Sequence, residues 1–403
     1  LKKRSKKLLL NWTVLVSRPP AQMSKSLFAS FSSEKEGLAF LATVARLSCG
    51  ILAALMIATL GGHTARADSI EALSTEAVAV RAPAKVTLIA ITNAGQRLVA
   101  AGEHGVIIYS DDNGQSWSQA SVPVDVTLTA IAFATPSQGW AVGHYGVILH
   151  STDAGRSWQL QLDGDQANQL TLAAAQNLPP NSPSPAAPLA LRRAARFLAD
   201  GPDKPFLSVL ANSPTDITVF GAYRMVMHSS DGGKDWADWS LHIFDRLSHH
   251  LYAAARIGAQ TCVAGESGNV FCSTDSGATF PEVTSPGVAT LLGLLPTGDG
   301  GMLGFGVAGL ADRSADGGKN WAAVSLGAQS NLTCGRLLKS GTILLGGEDG
   351  ALYASTDHGR TFHALSQTEP MAIFDLAEAP NGDVALAGSG GVIILPHAAL
   401  NLG

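Results

Sequence analysis

Six copies of Ser-x-Asp-x-Gly-x-x-Trp/Phe place a carboxylate in a polar turn at recurring intervals. They are Ser110-Asp112-Gly114-Trp117, Ser151-Asp153-Gly155-Trp158, Ser229-Asp231-Gly233-Trp236, Ser273-Asp275-Gly277-Phe280, Ser314-Asp316-Gly318-Trp321 and Ser355-Asp357-Gly359-Phe362. A turn aspartate can act as a general acid or as a staple. Here every residue type has a local task. The carboxylate accepts N–H groups from the residues after it, the glycine supplies a positive φ, and the serine bonds within the hairpin. The aromatic packs under the turn and opens the next strand. Asp112, Asp153, Asp231, Asp275, Asp316 and Asp357 therefore read as structural.

A second set of turns, Gly-x-x-Gly, carries a different chemistry. Their tips present Glu103, His104, His144, Tyr145, Tyr223, Arg224, Glu266, Glu348 and Asp349, and the stretch Leu241–Leu251 adds Asp245, Arg246, His249 and His250. Aromatics and histidines at turn tips suggest a contact surface. Catalysis fits less well. A sialidase needs three arginines converging on a carboxylate, but Arg97, Arg156 and Arg360 fall on the box side of the fold. Arg224 and Arg246 alone are well placed, and Arg256 and Arg336 lie nearer the far ends of inner strands. His104, His144, His242, His249 and His250 contain no His-x-His or His-x-x-x-His pair, so no metal site is expected. The glycines lead into strands rather than helices, which excludes a phosphate-cradling loop. Neither a catalytic constellation nor a cofactor is expected.

The elements that must hold these turns follow from the spacing. Successive box aspartates are 41, 78, 44, 41 and 41 residues apart, a period that signals a repeat fold. Each unit reads as four short antiparallel strands, such as Val86–Thr92, Leu98–Ala101, Val106–Ser110 and the stretch after Trp117. Four strands per ~41 residues make one blade of a β-propeller. The expectation is an all-β, seven-bladed propeller. Its last unit has three strands, Ile373–Leu376, Val384–Ala387 and Val392–Leu395, with Glu76–Arg81 as the fourth strand that closes the ring. The long gap holds an insertion, 161–202, read as two short helices, Gln166–Leu178 and Pro188–Ala199. In the second helix Arg192, Arg193 and Arg196 share one face, opposite Leu191, Ala195 and Leu198. Hairpin connectivity puts the insertion on the same face as the Gly-x-x-Gly turns, where Asp203 and Lys204 extend it.

Charge is divided unevenly. Residues 1–67 hold 10 Lys/Arg and 2 Asp/Glu, leaving 17 basic and 30 acidic residues for 68–403. A body that acidic argues against nucleic acid as a partner. Within 1–67, Lys35 and Arg46 precede an apolar run, Leu47–Gly61, and then Ala65-Arg66-Ala67. This is the pattern of a secretory signal cleaved near Ala67; the run is short of the ~20 residues of a spanning helix. The domains read as 1–67, extension and signal, and 68–403, the propeller. The propeller would work in the periplasm or outside the cell, as a monomer. Cys262 and Cys272 flank one Gly-x-x-Gly turn. A two-residue turn would pair position 262 with 271, and a longer one would pair 262 with 272 and permit a disulfide. Cys334 reads as free and buried.

The box is the Asp-box, or bacterial neuraminidase repeat, of sialidases. The fuller unit, Gly-x-x-Gly-[VILA]-x-x-x-Ser-x-Asp-x-Gly-x-x-Trp, over about 75–396, resembles the photosystem II stability and assembly factor family of exported seven-bladed propellers. That resemblance implies a non-enzymatic scaffold that holds subunits of a membrane-protein complex during assembly. The expected partner-binding face comprises His104, His144, Tyr145, Arg192, Arg193, Arg196, Asp203, Lys204, Tyr223, Arg224, Asp245, Arg246 and His249. A glycan-binding or sialidase-like protein is the other reading. The insertion and the few basic residues depart from the family pattern.

Overall fold

The computed structural model describes residues 70–178, 186–245, 247–283, 287–365 and 371–400. The export segment read over 1–67 and its cleavage site lie outside the described residues, as does Arg246. From Glu71 onward the chain is built of seven antiparallel sheets in chain order. The first blade is β1 Leu88–Ala94, β2 Arg97–Gly102, β3 Ile107–Ser110 and β4 Ser118–Gln119. The second is β5 Leu128–Phe133, β6 Gly139–Gly143, β7 Ile148–Ser151 and β8 Gln159–Leu162. The third is β9 Phe206–Ala211, β10 Ile217–Gly221, β11 Val226–Ser229 and β12 Ala237–Asp238. The fourth has β13 Leu251–Ile257, β14 Gln260–Gly265 and β15 Val270–Ser273. The fifth is β16 Leu291–Pro296, β17 Met302–Gly306, β18 Ala311–Ser314 and β19 Ala322–Ala323. The sixth is β20 Leu332–Leu337, β21 Ile343–Gly347, β22 Leu352–Ser355 and β23 His363–Leu365. The seventh has β24 Ile373–Glu378, β25 Val384–Gly388 and β26 Gly391–Leu395.

Burial explains the grammar of the strands. Second strands are apolar at nearly every position because neighbouring blades cover both their faces; β6 and β10 are buried throughout. The core therefore lies between blades. Val99, Ala101 and Ile107 of the first blade pack with Leu128, Ile131, Ala141 and Leu149 of the second. A one-residue bulge interrupts the pairing of the first and second strands in each blade, as between Leu88 and Ala90. It faces the glycine that ends the second strand. At Gly102 a Cβ would lie 2.1 Å from the Thr87 carbonyl oxygen, so the first glycine of the Gly-x-x-Gly turn is demanded by close approach.

Closure differs from the expectation. Glu76–Arg81 forms no strand, and the seventh blade has three among the described residues. The segment lies against the first blade instead. Ala77 N–H donates to Val122 O at 3.0 Å, and Val80 N–H donates to Gln119 Oε1 at 2.9 Å. Gln119 Nε2 returns a bond to Val78 O at 2.7 Å. Those side-chain bonds compete with strand addition at the last blade, and they prevail. The first and last blades meet face to face. Leu88, Ile91, Leu98 and Ile108 pack with Ala377, Ala385 and Ala387, and Ile91 N–H donates to Asp375 Oδ2 at 2.8 Å.

The insertion forms two helices, α1 Gly164–Gln176 and α2 Ala186–Asp200, between the second and third blades. Each starts two residues earlier than expected. At α1 the cause is a capping box: Asp163 Oδ1 accepts Gln166 N–H at 2.9 Å, and Gln166 Oε1 accepts Asp163 N–H at 3.0 Å. Asn168 ties the pair together, donating to Phe197 O and Gly201 O at 3.1 and 3.0 Å. Cys262 lies opposite Cys272 in the ladder, because the intervening turn is the longer kind, and the two form a disulfide. Cys334 is free and buried, and burial pushes its thiol pKa up. Among the described residues no helix is long and apolar enough to cross a membrane.

Candidate partner-binding face

The box turns close on themselves. Ser110 Oγ–H donates to Asp112 Oδ1 at 2.7 Å, and Ser110 Oγ in turn accepts Gly114 N–H at 2.8 Å. Asp112 also accepts Ser116 N–H and Oγ–H at 2.9 and 2.5 Å. Trp117 Nε1–H donates to Gly114 O at 3.0 Å. The serine, aspartate and glycine bonds recur in the other five boxes. Bonds from residue 116 and then Ser110 hold Asp112 down to about 2, and bonds from Asn320 do the same at Asp316. A carboxylate so held is ionised at neutral pH and has no proton to deliver as a general acid.

Arginines on the box side are engaged structurally. Arg97 grips Asp111 through two bonds of 2.7 Å and donates to Ala154 O at 3.0 Å. Arg360 binds Asp299 at 3.0 Å and Asp357 O at 2.7 Å. Arg336 donates to Leu376 O and Ile91 O, at 2.9 and 3.2 Å, across the seam between blades. Three arginines do not converge on one point among these described contacts.

The opposite face gathers most of the residues read from sequence, in two groups. His104 is separate, on the first blade, with Nδ1 2.9 Å from Asp125 Oδ1. The second group surrounds the insertion. His144 is half-buried, and burial lowers its pKa. Next to it, Tyr145 has its phenol raised first by burial and then by Asp203. Lys204 is buried, pairs with Asp203, and lies 3.4 Å from Asp200 and 4.9 Å from the Phe197 ring centre.

Helix α2 divides its arginines, which corrects the expected arginine stripe. Ala190, Ala194 and Phe197 are its buried side. Arg193 turns inward with them, its Nη1 3.4 Å from both Tyr223 O and Arg224 O. Arg192 and Arg196 stay exposed beside Leu189, Leu191 and Leu198. Arg224 donates to Ile243 O at 3.0 Å and Asp245 O at 2.6 Å; burial and then Arg193 lower its pKa to about 10. Asp245 caps its own loop, accepting Leu247 N–H at 2.9 Å and His249 N–H at 2.5 Å. Tyr223 N–H donates to His250 Nδ1 at 2.9 Å, and the ring remains partly exposed. Asp245, His249 and Lys204 are thus buried supports, whereas Arg192, Arg196, Tyr223 and His104 offer surface. Sequence reasoning did not single out Phe244 and Leu247, 68% and 65% exposed in the same loop. Two large apolar residues flanking Arg246 in a polar loop were the available signal. Among the described residues no group of three His, Cys, Asp or Glu could hold a metal.

Comparison with known proteins agrees with this architecture. Residues 115–176 match the model of the photosynthesis system II assembly factor YCF48, and residues 108–119 match the BNR/Asp-box repeat. The photosystem II assembly lipoprotein Ycf48 of Synechococcus sp. (strain CC9902) is 26% identical over 194 residues, 47% of this chain and 58% of that protein. The chain thus spans less than two thirds of that relative. A structure of YCF48 bound to D1 peptide superposes with a TM-score of 0.57 at 16% identity, covering 79% of this chain and 97% of the other. YCF48 from Cyanidioschyzon merolae gives 0.55 at 12% identity, with the same coverage. The chain is a seven-bladed Asp-box β-propeller that resembles the photosystem II assembly factors.

Proposed function

We propose that this protein is a non-enzymatic, exported scaffold that holds a subunit of a membrane-protein complex, a photosystem or another, during assembly or maintenance. The observation that carries the reading is the insertion seated on the Gly-x-x-Gly face. It leaves Arg192, Arg196, Tyr223, Phe244 and Leu247 exposed around one helix. Mixed cationic and apolar surface suits an acidic, partly apolar segment of a partner. The likeness to assembly factors supports the role, and the relative solved with a peptide supports a polypeptide as the ligand. His104, His144, Tyr145 and Arg246 would widen the contact, while Arg193, Asp203, Lys204, Arg224, Asp245 and His249 would hold it in shape.

Cross-linking and affinity capture from membranes test this. Wild type is compared with an Arg192→Glu/Arg196→Glu variant, whose exposed positions spare the fold, and with a 163–200 deletion. Loss of one membrane partner in both variants is the expected outcome. Retention of every partner, or turnover of a sialoside by the purified protein, would sink the reading.

A further inference from the structure

We propose that the box-side mouth of the central channel is a binding site for a small zwitterion, a free α-amino acid. The first strands of successive blades contact one another around the ring, so they line its axis. Those seven strands hold four charged residues, Arg256, Arg336, Asp375 and Glu378. Three of the four gather where the sixth and seventh blades adjoin the first: Arg336 lies 3.7 Å from Asp375 and lines one cavity with Glu378. Counted from the bulge in each first strand, the positions equivalent to Arg336 are Thr92, Ala132, Leu210, Ala255, Leu295 and Ala377. A repeat that departs from its own uncharged rule at one seam, with charges of both signs, marks a site.

The cavity at that seam measures about 250 Å³. Its polar lining comes from three blades: Asn93 and Gln96 of the first, Arg336 and Lys339 of the sixth, and Glu378 of the seventh. Leu337 and Pro380 add apolar wall. It opens among the turns that join first and second strands, on the side of the boxes, where Asn381 N–H donates to Asn113 Oδ1 of the first box at 3.3 Å. The volume is below the ~300–1,000 Å³ of sites for drug-sized ligands. That limits the ligand to a few heavy atoms.

The hydrogen bonds show what is left for a ligand. Arg336 Nε and Nη2 are fixed on Leu376 O and Ile91 O, and Nη1 has no partner among the described residues. Asp375 is committed to the backbone, with Oδ2 accepting Ile91 N–H and Oδ1 accepting Leu376 N–H, both at 2.8 Å. Asn93 Nδ2 donates to Glu378 O at 3.1 Å, which leaves Asn93 Oδ1. Glu378 Oε2 accepts Lys339 N–H at 2.8 Å, which leaves Glu378 Oε1. Lys339 Nζ and the Gln96 amide have no partner among the described residues. Two cations stand beside two carboxylates, so a simple anion gains little net attraction. A zwitterion satisfies both signs. Its carboxylate pairs with Arg336 Nη1 and Lys339 Nζ, and its ammonium with Glu378 Oε1 and Asn93 Oδ1.

The test uses the full-length exported protein, isotope-labelled, with the amide signals of Gly95, Gln96 and Lys339 as reporters. The probes are L-alanine, acetyl-L-alanine, which lacks the ammonium, L-alaninamide, which lacks the carboxylate, and inorganic phosphate. L-Alanine should shift the reporters saturably at about millimolar concentration, a range open to so small a ligand. Acetyl-L-alanine and L-alaninamide should each bind at least about tenfold more weakly, because each leaves one charge of the site unpaired. Lys339→Gln removes a side chain that bonds nothing, and Glu378→Gln keeps a carbonyl for the Lys339 N–H. Each should weaken L-alanine about tenfold. Glu378→Gln should also narrow the gap between L-alanine and acetyl-L-alanine, which a merely structural change would not do. If a variant fails to fold, the ligand series in the unaltered protein decides. No saturable shift by about 50 mM L-alanine would overturn the proposal. So would phosphate or acetyl-L-alanine binding as tightly as L-alanine, or an affinity unmoved in both variants. None of these readouts depends on Arg192 or Arg196, so this site and the insertion face stand or fall separately.

Discussion

Gly114, in the first box, lies so close to Ile394, in the last blade, that a Cβ on the glycine would sit 2.3 Å from the isoleucine Cδ1. Residues 280 positions apart thus meet where the ring closes, and the box glycine is part of the joint. The same contact recurs around the ring: Gly155 meets Val99, Gly277 meets Trp239, and Gly318 meets Val283, each on the preceding blade. The box glycine therefore answers to two demands, a positive φ and a close neighbour.

The two demands can be separated. Gly114 and Gly300 share φ +86, but nothing lies within 4 Å of a Cβ at Gly300. Gly300→Ala should cost about 1 kcal/mol, the backbone strain alone. Gly114→Ala should cost about 1–3 kcal/mol more, through overpacking against Ile394. Adding Ile394→Ala to Gly114→Ala should recover part of that excess. Urea unfolding of the four proteins measures it, and equal costs for the two glycines would refute the joint.

The boxes make a pH prediction. Asp316 is held down at about 2 by its bonds from Asn320, below the ordinary carboxylate value. Its contribution to stability is full above about pH 4 and is lost as pH falls toward about 2. Asp316→Asn should be less stable than wild type at neutral pH, with the gap closing in acid. Asp153→Ala, which frees the Arg156 and Ser157 amides, should cost about 1 kcal/mol at neutral pH. Denaturant midpoints across the pH range check both, and a gap independent of pH would contradict the assignment.

Repetition made the ring readable. Six boxes at a near-constant step announce blades, and the insertion shows as a doubled interval. Closure was not readable, because Glu76–Arg81 has strand composition but its placement depends on Gln119, a single polar side chain offering both a donor and an acceptor. The face was half readable. His104, Tyr145 and Tyr223 lie at the turn tips where the glycine spacing puts them, each at positive φ, but composition cannot tell a surface arginine from Arg193, which folds inward to meet two carbonyls. Helical periodicity shows which residues share a side, and only the packing of Ala190, Ala194 and Phe197 shows which side is down.

The disulfide staples β14 to β15 in the fourth blade, whose outer strand is, among the described residues, reduced to the isolated bridge between Phe271 and Glu282. The closed loop is short, the two cysteines having a sequence separation of 10, so the entropic gain is about 2–3 kcal/mol. Cys262→Ala/Cys272→Ala should lower the melting temperature and leave the far-UV spectrum unchanged. Reducing agent should shift wild type to the same temperature and leave the double variant unmoved. A wild type insensitive to full reduction would count against a stabilising bridge.

Asp312 works against the fold. It lies on β18, buried, and its Oδ2 has no hydrogen-bond partner among the described residues. Burial raises its pKa above the ordinary value. The folded protein therefore favours the protonated form, and the cost of the charge appears as pH rises through the unfolded pKa of about 4 and on through the higher folded one. Above that window the cost is constant, and below it the cost vanishes. Asp312→Asn removes the charge at nearly the same volume. The variant should be more stable than wild type at neutral pH and equal to it near about pH 3. Paired thermal melts at the two pH values decide the matter, and a variant less stable at both would show that the carboxylate is satisfied in solution.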